Sequence, residues 1–312
     1  MDRRTPRSEE LKMHAPQALY LDLLKKSLTF LLWPEPPRPI SLFFPRPWYR
    51  QILAAASLWC AKRLGLQLAR VTKTTEAARE GGRTWPVYAH TMVGLHRLDS
   101  LQACIEAVLR DEVPGDLIET GVWRGGASIF MRGVLASADV TDRKVYVADS
   151  FRGLPAPKPG LHAADHRDEH HRMKYLAVSQ DEVRANFERY GLLDEQVVFL
   201  EGWFSDTLPA APIAKLAILR LDGDMYESTI DALNSLYPKL SPGGYCIIDD
   251  YLLRGCRAAV DDYRRDHAIT ESIEDIDGMA ALWRKDGATV HTNGPLSDIG
   301  LRTDTQHRRN PI

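Results

Sequence analysis

The sequence predicts an α/β protein with a doubly wound, mostly parallel sheet, and two patterns support this fold class. Short apolar runs that end in polar residues recur along the chain, at 116–121, 144–150, 197–203, 216–224 and 243–251. Helical patterns alternate with these runs, at Ala127–Ala136, Gln180–Tyr190 and Glu227–Leu240. Buried strands that alternate with helices form parallel sheets with right-handed crossovers. Ligands of such sheets bind at the carboxyl ends of the strands, so the polar residues there are candidate site residues.

Composition and charge exclude several classes of protein. Of the 312 residues, 44% are apolar and 26% are charged, which is typical of a globular chain and not of a disordered one. The formal net charge of −2 provides no overall basic field, so we expect no nucleic-acid partner. The charge is uneven, because residues 1–90 carry 15 Lys and Arg against 7 Asp and Glu. The four cysteines are scattered, which predicts neither a disulfide framework nor a zinc site and fits a reducing cytoplasm.

Residues 1–84 are expected to form a helical extension before the main domain of residues 85–286. Leucines at roughly helical intervals from Leu19 to Leu32 indicate a first helix, which the following prolines end. A second, amphipathic helix is predicted from about Tyr49 to Ala69. The tail of residues 287–312 has few apolar residues, and we expect it to be loosely ordered.

The second helix has the features of a contact surface for a membrane, for the main domain or for a partner subunit. Its polar side is basic, and residues 48–70 include Trp48 and Trp59. Such a helix can lie on a membrane surface, although packing on the main domain or on a partner subunit is the more common use of an amphipathic helix. We therefore expect a homo-oligomer. The longest apolar stretch, Ile52 to Ala61, is about half of what a membrane-spanning helix requires, so no transmembrane segment is expected.

The first candidate site is a glycine-rich turn, ETGVWRGG, which runs from Glu119 to Gly126 directly after a strand. Glycines let the backbone turn sharply and approach a ligand closely. A dinucleotide site would bind a pyrophosphate here, but the Glu119 carboxylate would repel it and attract an ammonium group. Asp149, followed by Ser150, ends the next strand and could accept hydrogen bonds from ribose hydroxyls. An ammonium group and a ribose without phosphate favour S-adenosylmethionine as the ligand.

The second candidate site is acidic. Asp222 and Asp224 end one strand, and Asp249 and Asp250 end the next. The helix between these strands returns the chain to the same edge of the sheet, so the carboxylates should meet there. They would repel one another unless a cation lay between them, although one aspartate alone could simply cap a loop or a helix. Oxygen donors without a cysteine pair favour Mg²⁺, or Mn²⁺ or Ca²⁺, over zinc.

A long insertion at residues 156–178 follows the second strand on the predicted ligand edge. We interpret it as a mobile lid over the substrate. A helix here would place His162, His166 and His170 on one face, which would allow a metal site, but a solvated segment is the favoured interpretation. After the third strand, the indole of Trp203 could flank an adenine ring or fill the core.

The motifs resemble those of the macrocin O-methyltransferase family. The stretches that carry the resemblance are LIETGVWRGGASIFMRG, VADSFRGLP, LRLDGDMYESTIDALNSLYPKLSPGGY and IIDDY. The resemblance runs from about Trp85 to Arg284, and LYLDLLKKSLT near residue 20 is similar to the family's N-terminal helix. It implies a class I methyltransferase fold of the Rossmann-like type. It also implies metal- and S-adenosylmethionine-dependent methylation of sugar hydroxyls on macrolides and other bacterial natural products.

The resemblance implies roles for individual residues as well. Asp222, Asp249 and Asp250 match the family's metal-binding triad, whereas Asp224 is implied not to be a ligand. The implied cofactor contacts are Glu119, Thr120 and Gly121 at the methionine end, Asp149 and Ser150 at the ribose, Gly202 and Trp203 beside the adenine, and Thr91 and Met92 closing over the molecule. The segment 34–74 and the tail after Lys285 depart from the family pattern.

We therefore expect a cytoplasmic enzyme that methylates a hydroxyl of a sugar or polyol on a small natural product. A sugar hydroxyl is too weak an acid to lose its proton to an ordinary carboxylate, so Mg²⁺ would have to stabilise the alkoxide. Asp222 is the candidate to receive the proton. The alternative is a glycosyltransferase that uses a sugar nucleotide, because LRLDGD also fits a metal-binding D-x-D motif. A non-catalytic partner subunit with the same fold is a third hypothesis.

Overall fold

The computed structural model describes residues 15–39, 48–70, 75–158, 160–166 and 168–286. In these residues the helices are α1 (Ala15–Leu28), α2 (Trp48–Arg63), α3 (Glu76–Glu80), α4 (Leu95–Arg110), α5 (Gly126–Ser137), α6 (Gln180–Arg189), α7 (Phe204–Thr207), α8 (Tyr226–Leu236) and α9 (Arg254–Asp266). The strands are β1 (Arg38–Pro39), β2 (Ala69–Arg70), β3 (Asp116–Thr120), β4 (Val145–Asp149), β5 (Val197–Glu201), β6 (Leu216–Leu221), β7 (Leu240–Ile248), β8 (Glu274–Asp275) and β9 (Ala281–Arg284). Short 3-10 turns occupy His170–Arg172, Lys174–Leu176 and Tyr237–Lys239.

The main sheet has seven strands in the order β5-β4-β3-β6-β7-β9-β8. Strands β3 to β7 pair in parallel, and β9 pairs antiparallel with both β7 and β8. The chain runs outward from β3 to β5 and then returns to β6 on the other side of β3. Such a reversal opens a crevice at the carboxyl ends of the strands. The predicted doubly wound, mostly parallel sheet is confirmed.

Each predicted strand and helix of the main domain is present, but the helices α4, α7 and α9 and the strands β8 and β9 were not predicted. Helix α4 packs on one face of the sheet and α9 on the other. The buried stripe of α9 is narrow, and it consists mainly of Cys256, Ala259, Val260 and Tyr263 among many charged residues. A short sequence window with so few apolar positions gives a weak helical signal, although the stripe is sufficient for packing on a sheet.

Helix α1 is part of the main core. Leu21, Leu24 and Leu28 are buried in the same apolar layer as Phe130 of α5. The predicted first helix is therefore confirmed, and its packing extends the helical layer on this face of the sheet.

Helix α2 exposes large apolar side chains, and it is shorter than predicted. It ends at Arg63, because Gly65 has a φ of 67° and the amide of Leu66 returns to the carbonyl of Ala61. This left-handed glycine terminates the helix before Ala69. Leu53 is 68% exposed and Trp59 is 61% exposed. Contact of residues 48–70 with a membrane surface or with a second copy stays a prediction.

Three further expectations also stay predictions. They are the division of the chain at residues 84 and 286, the homo-oligomer and the cytoplasmic location. The tail of residues 287–312 lies outside the described residues. Within the described part of the chain, none of the helices combines the length and apolarity that crossing a membrane requires.

Candidate active site

A cavity of about 700 Å³ opens at the carboxyl ends of the parallel strands. Each of these strands contributes a residue to the wall, either at its end or in the loop that follows: Glu119 of β3, Asp149 of β4, Gly202 after β5, Asp222 after β6 and Asp249 after β7. The topology therefore gathers residues that lie up to 130 positions apart in the chain.

The glycine-rich turn requires glycine at its first turn position. Gly121 has a φ of 82°, and a Cβ there would lie 1.7 Å from the backbone oxygen of Asp222. No side chain fits at that distance, so the end of β3 can approach the loop after β6 only with glycine. Gly125, with a φ of 83°, then begins α5. The turn leaves the cavity wall at Gly121 formed by backbone alone.

Asp149 is a buried carboxylate held by backbone amides. Its Oδ2 accepts a hydrogen bond from the Val122 amide at 2.8 Å, and its Oδ1 accepts one from the Phe151 amide at 2.8 Å. Burial raises the pKa of Asp149, although these hydrogen bonds oppose the shift. The Ser150 hydroxyl also donates to Oδ1 at 3.4 Å. The carboxylate is thus fixed in position at the cavity wall.

Most of the other predicted cofactor contacts line the same cavity. They are Thr91, Met92, Ser150, Gly202 and Trp203. Trp203 is 37% exposed, so it does not fill the core. The structure does not bring Thr120 to the cavity, because its side chain points into the interior and is fully buried.

Arg220 is a buried cation that joins three strands, and sequence reasoning missed it. Its side chain is 2% exposed on β6, and it contacts Glu119 at 2.5 Å, Asp222 at 2.9 Å and Asp249 at 2.5 Å. Burial favours loss of its proton, but the surrounding carboxylates outweigh burial and raise the pKa of Arg220. The sequence did contain a sign of this contact, because Arg220 lies within the otherwise apolar run LAILRL. A charge in a buried strand requires partners of opposite charge.

Both carboxylate oxygens of Glu119 already accept hydrogen bonds within the protein, which the sequence did not indicate. One of its oxygens accepts from Arg220 and the other from the hydroxyl of Ser128. Burial raises the pKa of Glu119 to about 7, although Arg220 and Ser128 act in the opposite direction. An ammonium group at this end of the cavity would share Glu119 with Arg220 and would not meet a free carboxylate.

The acidic residues form a compact group. Asp222, Asp249 and Asp250 each offer one oxygen, and these oxygens lie within 4.8 Å of one another. Burial, followed by the charge of Asp249, raises the pKa of Asp222 to about 6. Burial and the neighbouring carboxylates also raise the pKa of Asp250 well above its usual range. The negative charge at this point is therefore not fully compensated by the protein.

Asp249 is oriented from two sides by arginines. Its Oδ1 accepts from Arg220 at 2.5 Å, and its Oδ2 accepts from Arg97 of α4 at 2.6 Å. Arg97 also contacts Asp277 at 3.1 Å. These contacts fix the carboxylate, and each oxygen retains a second lone pair. Three carboxylate oxygens with excess negative charge form a donor set that fits a hard divalent cation.

Asp224 lies beside this group but outside it. Its backbone amide donates to Asp250 at 3.1 Å. Burial, followed by the charge of Asp222, raises the pKa of Asp224 to about 7. The side chain faces the cavity, so Asp224 is a titratable group close to the acidic triad.

The predicted lid contributes to the cavity wall, but it is not a helix. Its described residues form turns and two short 3-10 segments. His170 lines the cavity, His162 stacks on Tyr226 at 4.3 Å, and His166 is exposed. The three histidines therefore share no helical face, and the group of potential metal ligands found among the described residues is the acidic triad. The mobility of the lid stays a prediction.

The parallel sheet, its switch point and the cavity at the strand ends define a class I methyltransferase fold. The family model of the macrocin O-methyltransferases (TylF) matches residues 17–285. The chain belongs to this family of enzymes, as the resemblance of its motifs predicted.

Characterised relatives support the same assignment. A tetracenomycin 4'-O-methyltransferase from Streptomyces olivaceus is 50% identical over 280 residues, which cover 89% of this chain and 97% of the relative. Mycinamicin III 3''-O-methyltransferase from Micromonospora griseorubida is 53% identical over 213 residues, 67% of this chain and 84% of the relative. The solved structure of the O-methyltransferase NovP is 45% identical and covers 87% of this chain and 100% of its own, with a TM-score of 0.74. These likenesses identify an O-methyltransferase and decide against the D-x-D glycosyltransferase.

Proposed function

We propose that this enzyme transfers a methyl group from S-adenosylmethionine to a sugar hydroxyl of a bacterial natural product, with Mg²⁺ held by Asp222, Asp249 and Asp250. One observation carries the proposal: the amide-held carboxylate of Asp149 and the acidic triad face the same cavity. The name of the Streptomyces olivaceus relative specifies a rhamnosyl group as its acceptor, which supports a sugar here.

S-adenosylmethionine supplies a methyl group on a positively charged sulfur. In the proposed complex the Asp149 carboxylate, which lines the cavity, would accept hydrogen bonds from the ribose hydroxyls. Glu119 would bind the ammonium group next to Arg220, and the bare backbone at Gly121 would let the methionine end approach. Gly202 and Trp203 would lie beside the adenine, where an indole can stack on the base. Thr91 and Met92 would close over the molecule.

The acidic triad would hold the cation. When bound, Mg²⁺ acts as a Lewis acid that stabilises a developing alkoxide. The excess negative charge of Asp222 and Asp250 supports its presence, because a cation would relieve the repulsion that raises their pKa values. Arg97 and Arg220 would keep Asp249 in a fixed orientation as a ligand.

We propose Asp222 as the proton acceptor. Its pKa of about 6 makes it a stronger base than an ordinary carboxylate, and it lies at the proposed cation. Asp224 is the second candidate for this role, because its pKa of about 7 is higher still and its side chain faces the same cavity. The two residues differ in one testable respect, since Asp224 lies outside the triad.

The remaining wall of the cavity suits a large acceptor. Apolar side chains also line the cavity, and they include Trp85, Leu154, Leu252, Leu253 and Met279. Pockets for drug-sized molecules are mainly apolar with a few placed polar groups. We propose that this wall contacts the ring system to which the sugar is attached.

The proposal can be tested with 8-demethyl-8-(2,3-dimethoxy-α-L-rhamnosyl)-tetracenomycin C, the acceptor in the name of the relative, and with mycinamicin III. We expect methylation of at least one compound in the presence of Mg²⁺ and loss of turnover after treatment with EDTA. Retained turnover in EDTA would refute the role of the cation. Failure to methylate either compound, or any other glycoside from the producing cell, would refute the acceptor class.

Variants separate the two candidate bases. Asp222→Asn should abolish turnover and weaken Mn²⁺ binding, whereas Asp224→Asn should leave Mn²⁺ binding intact. Both variants should still bind S-adenosylhomocysteine in calorimetry, which serves as the folding control. Turnover by Asp222→Asn close to that of the wild type, together with its loss in Asp224→Asn, would transfer the role of base to Asp224.

A further inference from the structure

The insertion after β4 is anchored at the start of helix α8. Asp165 is 4% exposed, and its two oxygens accept hydrogen bonds from the backbone amides of Tyr226 at 2.7 Å and Glu227 at 3.1 Å. These amides belong to the first turn of α8, where they lack partners within the helix. A residue that is 61 positions earlier in the chain thus caps this helix.

Two further contacts hold the same segment against α8. The imidazole of His162 stacks on the ring of Tyr226 at 4.3 Å, and Lys158 forms an ion pair with Glu227. Helix α8 begins two residues after Asp224. The insertion and the loop that carries Asp222 and Asp224 are therefore fixed relative to each other.

Within this anchored segment, Asp168 and His170 form a hydrogen-bonded pair. Asp168 Oδ2 contacts His170 Nδ1 at 2.7 Å, and Asp168 Oδ1 accepts from the backbone amide of His170 at 2.8 Å. Burial opposes ionisation of Asp168, but the hydrogen bonds from His170 outweigh it and lower the pKa of this carboxyl. Because an ionised carboxylate can only accept, Nδ1 is the ring nitrogen that carries a proton.

The imidazole of His170 faces the reaction end of the cavity. His170 is part of the cavity wall together with Asp222 and Asp224, and its charge and that of Asp224 interact. Nδ1 is bound to Asp168, so Nε2 is the nitrogen that can meet a ligand. A neutral Nε2 accepts a hydrogen bond and a protonated one donates it, and a sugar hydroxyl can satisfy either.

We propose that His170 is an acceptor-contacting residue that hydrogen-bonds through Nε2 to a sugar hydroxyl adjacent to the one methylated, and that Asp168 is the positioning residue that orients its ring. This inference rests on the proposed function, and it adds a specificity-determining pair that belongs to the insertion. The cap formed by Asp165 places the pair over the cavity.

Steady-state kinetics with the rhamnosyl tetracenomycin acceptor test the pair. His170→Ala should raise the KM for this acceptor by about tenfold, because it removes one hydrogen bond to the acceptor. The kcat should fall by much less, and the affinity for S-adenosylhomocysteine should not change. The matched control is His166→Ala, an exposed histidine of the same segment, which should behave as the wild type. An unchanged KM in His170→Ala would overturn the proposal.

A double-mutant cycle tests whether Asp168 acts through His170. Asp168→Asn should raise the KM by less than His170→Ala does. The variant with both changes should be no worse than His170→Ala alone, because the ring that Asp168 orients is already absent. Additive effects of the two substitutions would overturn the assignment of Asp168 as a positioning residue and indicate an independent structural role.

A spectroscopic measurement separates this proposal from the proposed function. The side-chain Nε2 resonance of His170 in ¹⁵N-labelled protein can be assigned by its absence in His170→Ala. Adding the rhamnosyl tetracenomycin or mycinamicin III in the presence of S-adenosylhomocysteine should shift this resonance and leave that of His166 unchanged. A shift supports the contact between His170 and the acceptor even if no methyl transfer is detected. In that case the proposed reaction is refuted, and the proposed contact is not. A resonance that neither compound moves overturns the role of His170.

Discussion

The two ends of the cavity both present buried carboxylates, but the protein neutralises them in different ways. Asp149 accepts hydrogen bonds from the backbone amides of Val122 and Phe151 and from the Ser150 hydroxyl. Asp222 and Asp250 lie against other carboxylates, and their pKa values are raised by that crowding as well as by burial. Amide dipoles favour an ionised Asp149 that accepts from neutral hydroxyl donors, whereas the crowded aspartates favour a bound proton or the cation proposed above.

This difference shows why carboxylates of the same chemistry can be assigned to different ligands. The cofactor end is built by local loop geometry, in which residues 122, 149 and 151 lie on two adjacent turns. The acidic end is built by long-range packing, because Arg97 and Arg220 reach Asp249 from another helix and another strand. Substitutions at the two ends should therefore separate cofactor binding from metal binding and stability.

The largest effect is expected for Asp250→Asn. Loss of one of the three proposed metal ligands should reduce turnover by about a thousandfold or more, because the developing charge on the acceptor would no longer be stabilised. Calorimetry with S-adenosylhomocysteine should give the wild-type affinity, since the cofactor end is untouched. A variant that has lost both turnover and S-adenosylhomocysteine binding would contradict the separation of the two ends of the cavity.

Arg220→Met should lower the free energy of unfolding by about 3–5 kcal/mol, because it leaves Glu119, Asp222 and Asp249 without their buried cation. Urea denaturation of the metal-free protein measures this loss. Arg110→Met, on an exposed side chain of α4, is the matched control and should have little effect. Equal stability of the two variants would show that Arg220 does not hold the strands together.

The stability of the metal-free protein should fall as pH rises from 5.5 to 8. The carboxyl groups of Glu119 and Asp222 have pKa values of about 7 and about 6 in the folded protein, above their values in an unfolded chain. The folded state therefore binds their protons more tightly, and this contribution is lost as pH rises through the folded pKa values.

The check is a series of thermal melts with and without Mn²⁺. We expect the Tm of the metal-free protein to drop by several degrees over this range. Mn²⁺ should raise the Tm more at pH 8 than at pH 5.5, because protonated carboxyl groups do not bind it. A Tm of the metal-free protein that rises with pH would contradict the charge crowding at the acidic end.

The smallest effect is expected for Trp203→Ala. Its indole is 37% exposed at the cofactor end, so the variant should fold normally and bind S-adenosylhomocysteine about three- to tenfold more weakly, the loss of one stacking contact. Isothermal calorimetry measures the change, and Mn²⁺ affinity should stay constant. An unchanged affinity for S-adenosylhomocysteine in Trp203→Ala would refute the proposed stacking of Trp203 on the adenine.

Much of the site was accessible from sequence because strand ends are easy to locate. A parallel strand that is buried on both faces has a continuous apolar sequence. The first polar residues after it lie at the edge of the sheet where ligands bind. This rule placed Asp149, Asp222, Asp249 and Asp250 correctly at one cavity. Thr120, which the resemblance implied, is fully buried, because a residue one position from Glu119 or Gly121 points to the opposite side of the strand.

The ionic partners could not be derived in this way. Arg97 comes from a helix that precedes all the parallel strands, and its distance to Asp249 in the chain is 152 residues. His170 required the path of the insertion, which follows no repeating pattern and is fixed by the cap of Asp165 on α8. Such contacts depend on how separate helices, strands and loops pack, and the periodicity of apolar residues in the sequence does not indicate them.

The sequence by itself determined the α/β class, the five parallel strands, the family and the acidic residues at the strand ends, because burial, backbone preference and glycine at a left-handed turn act within a few residues. Only the tertiary structure decided which charges meet. It placed Arg220 among three carboxylates, made Glu119 a shared partner and brought His170 to the wall that holds Asp222. The reason is that Coulomb interactions and desolvation depend on distances through space, and those are set when the layers pack.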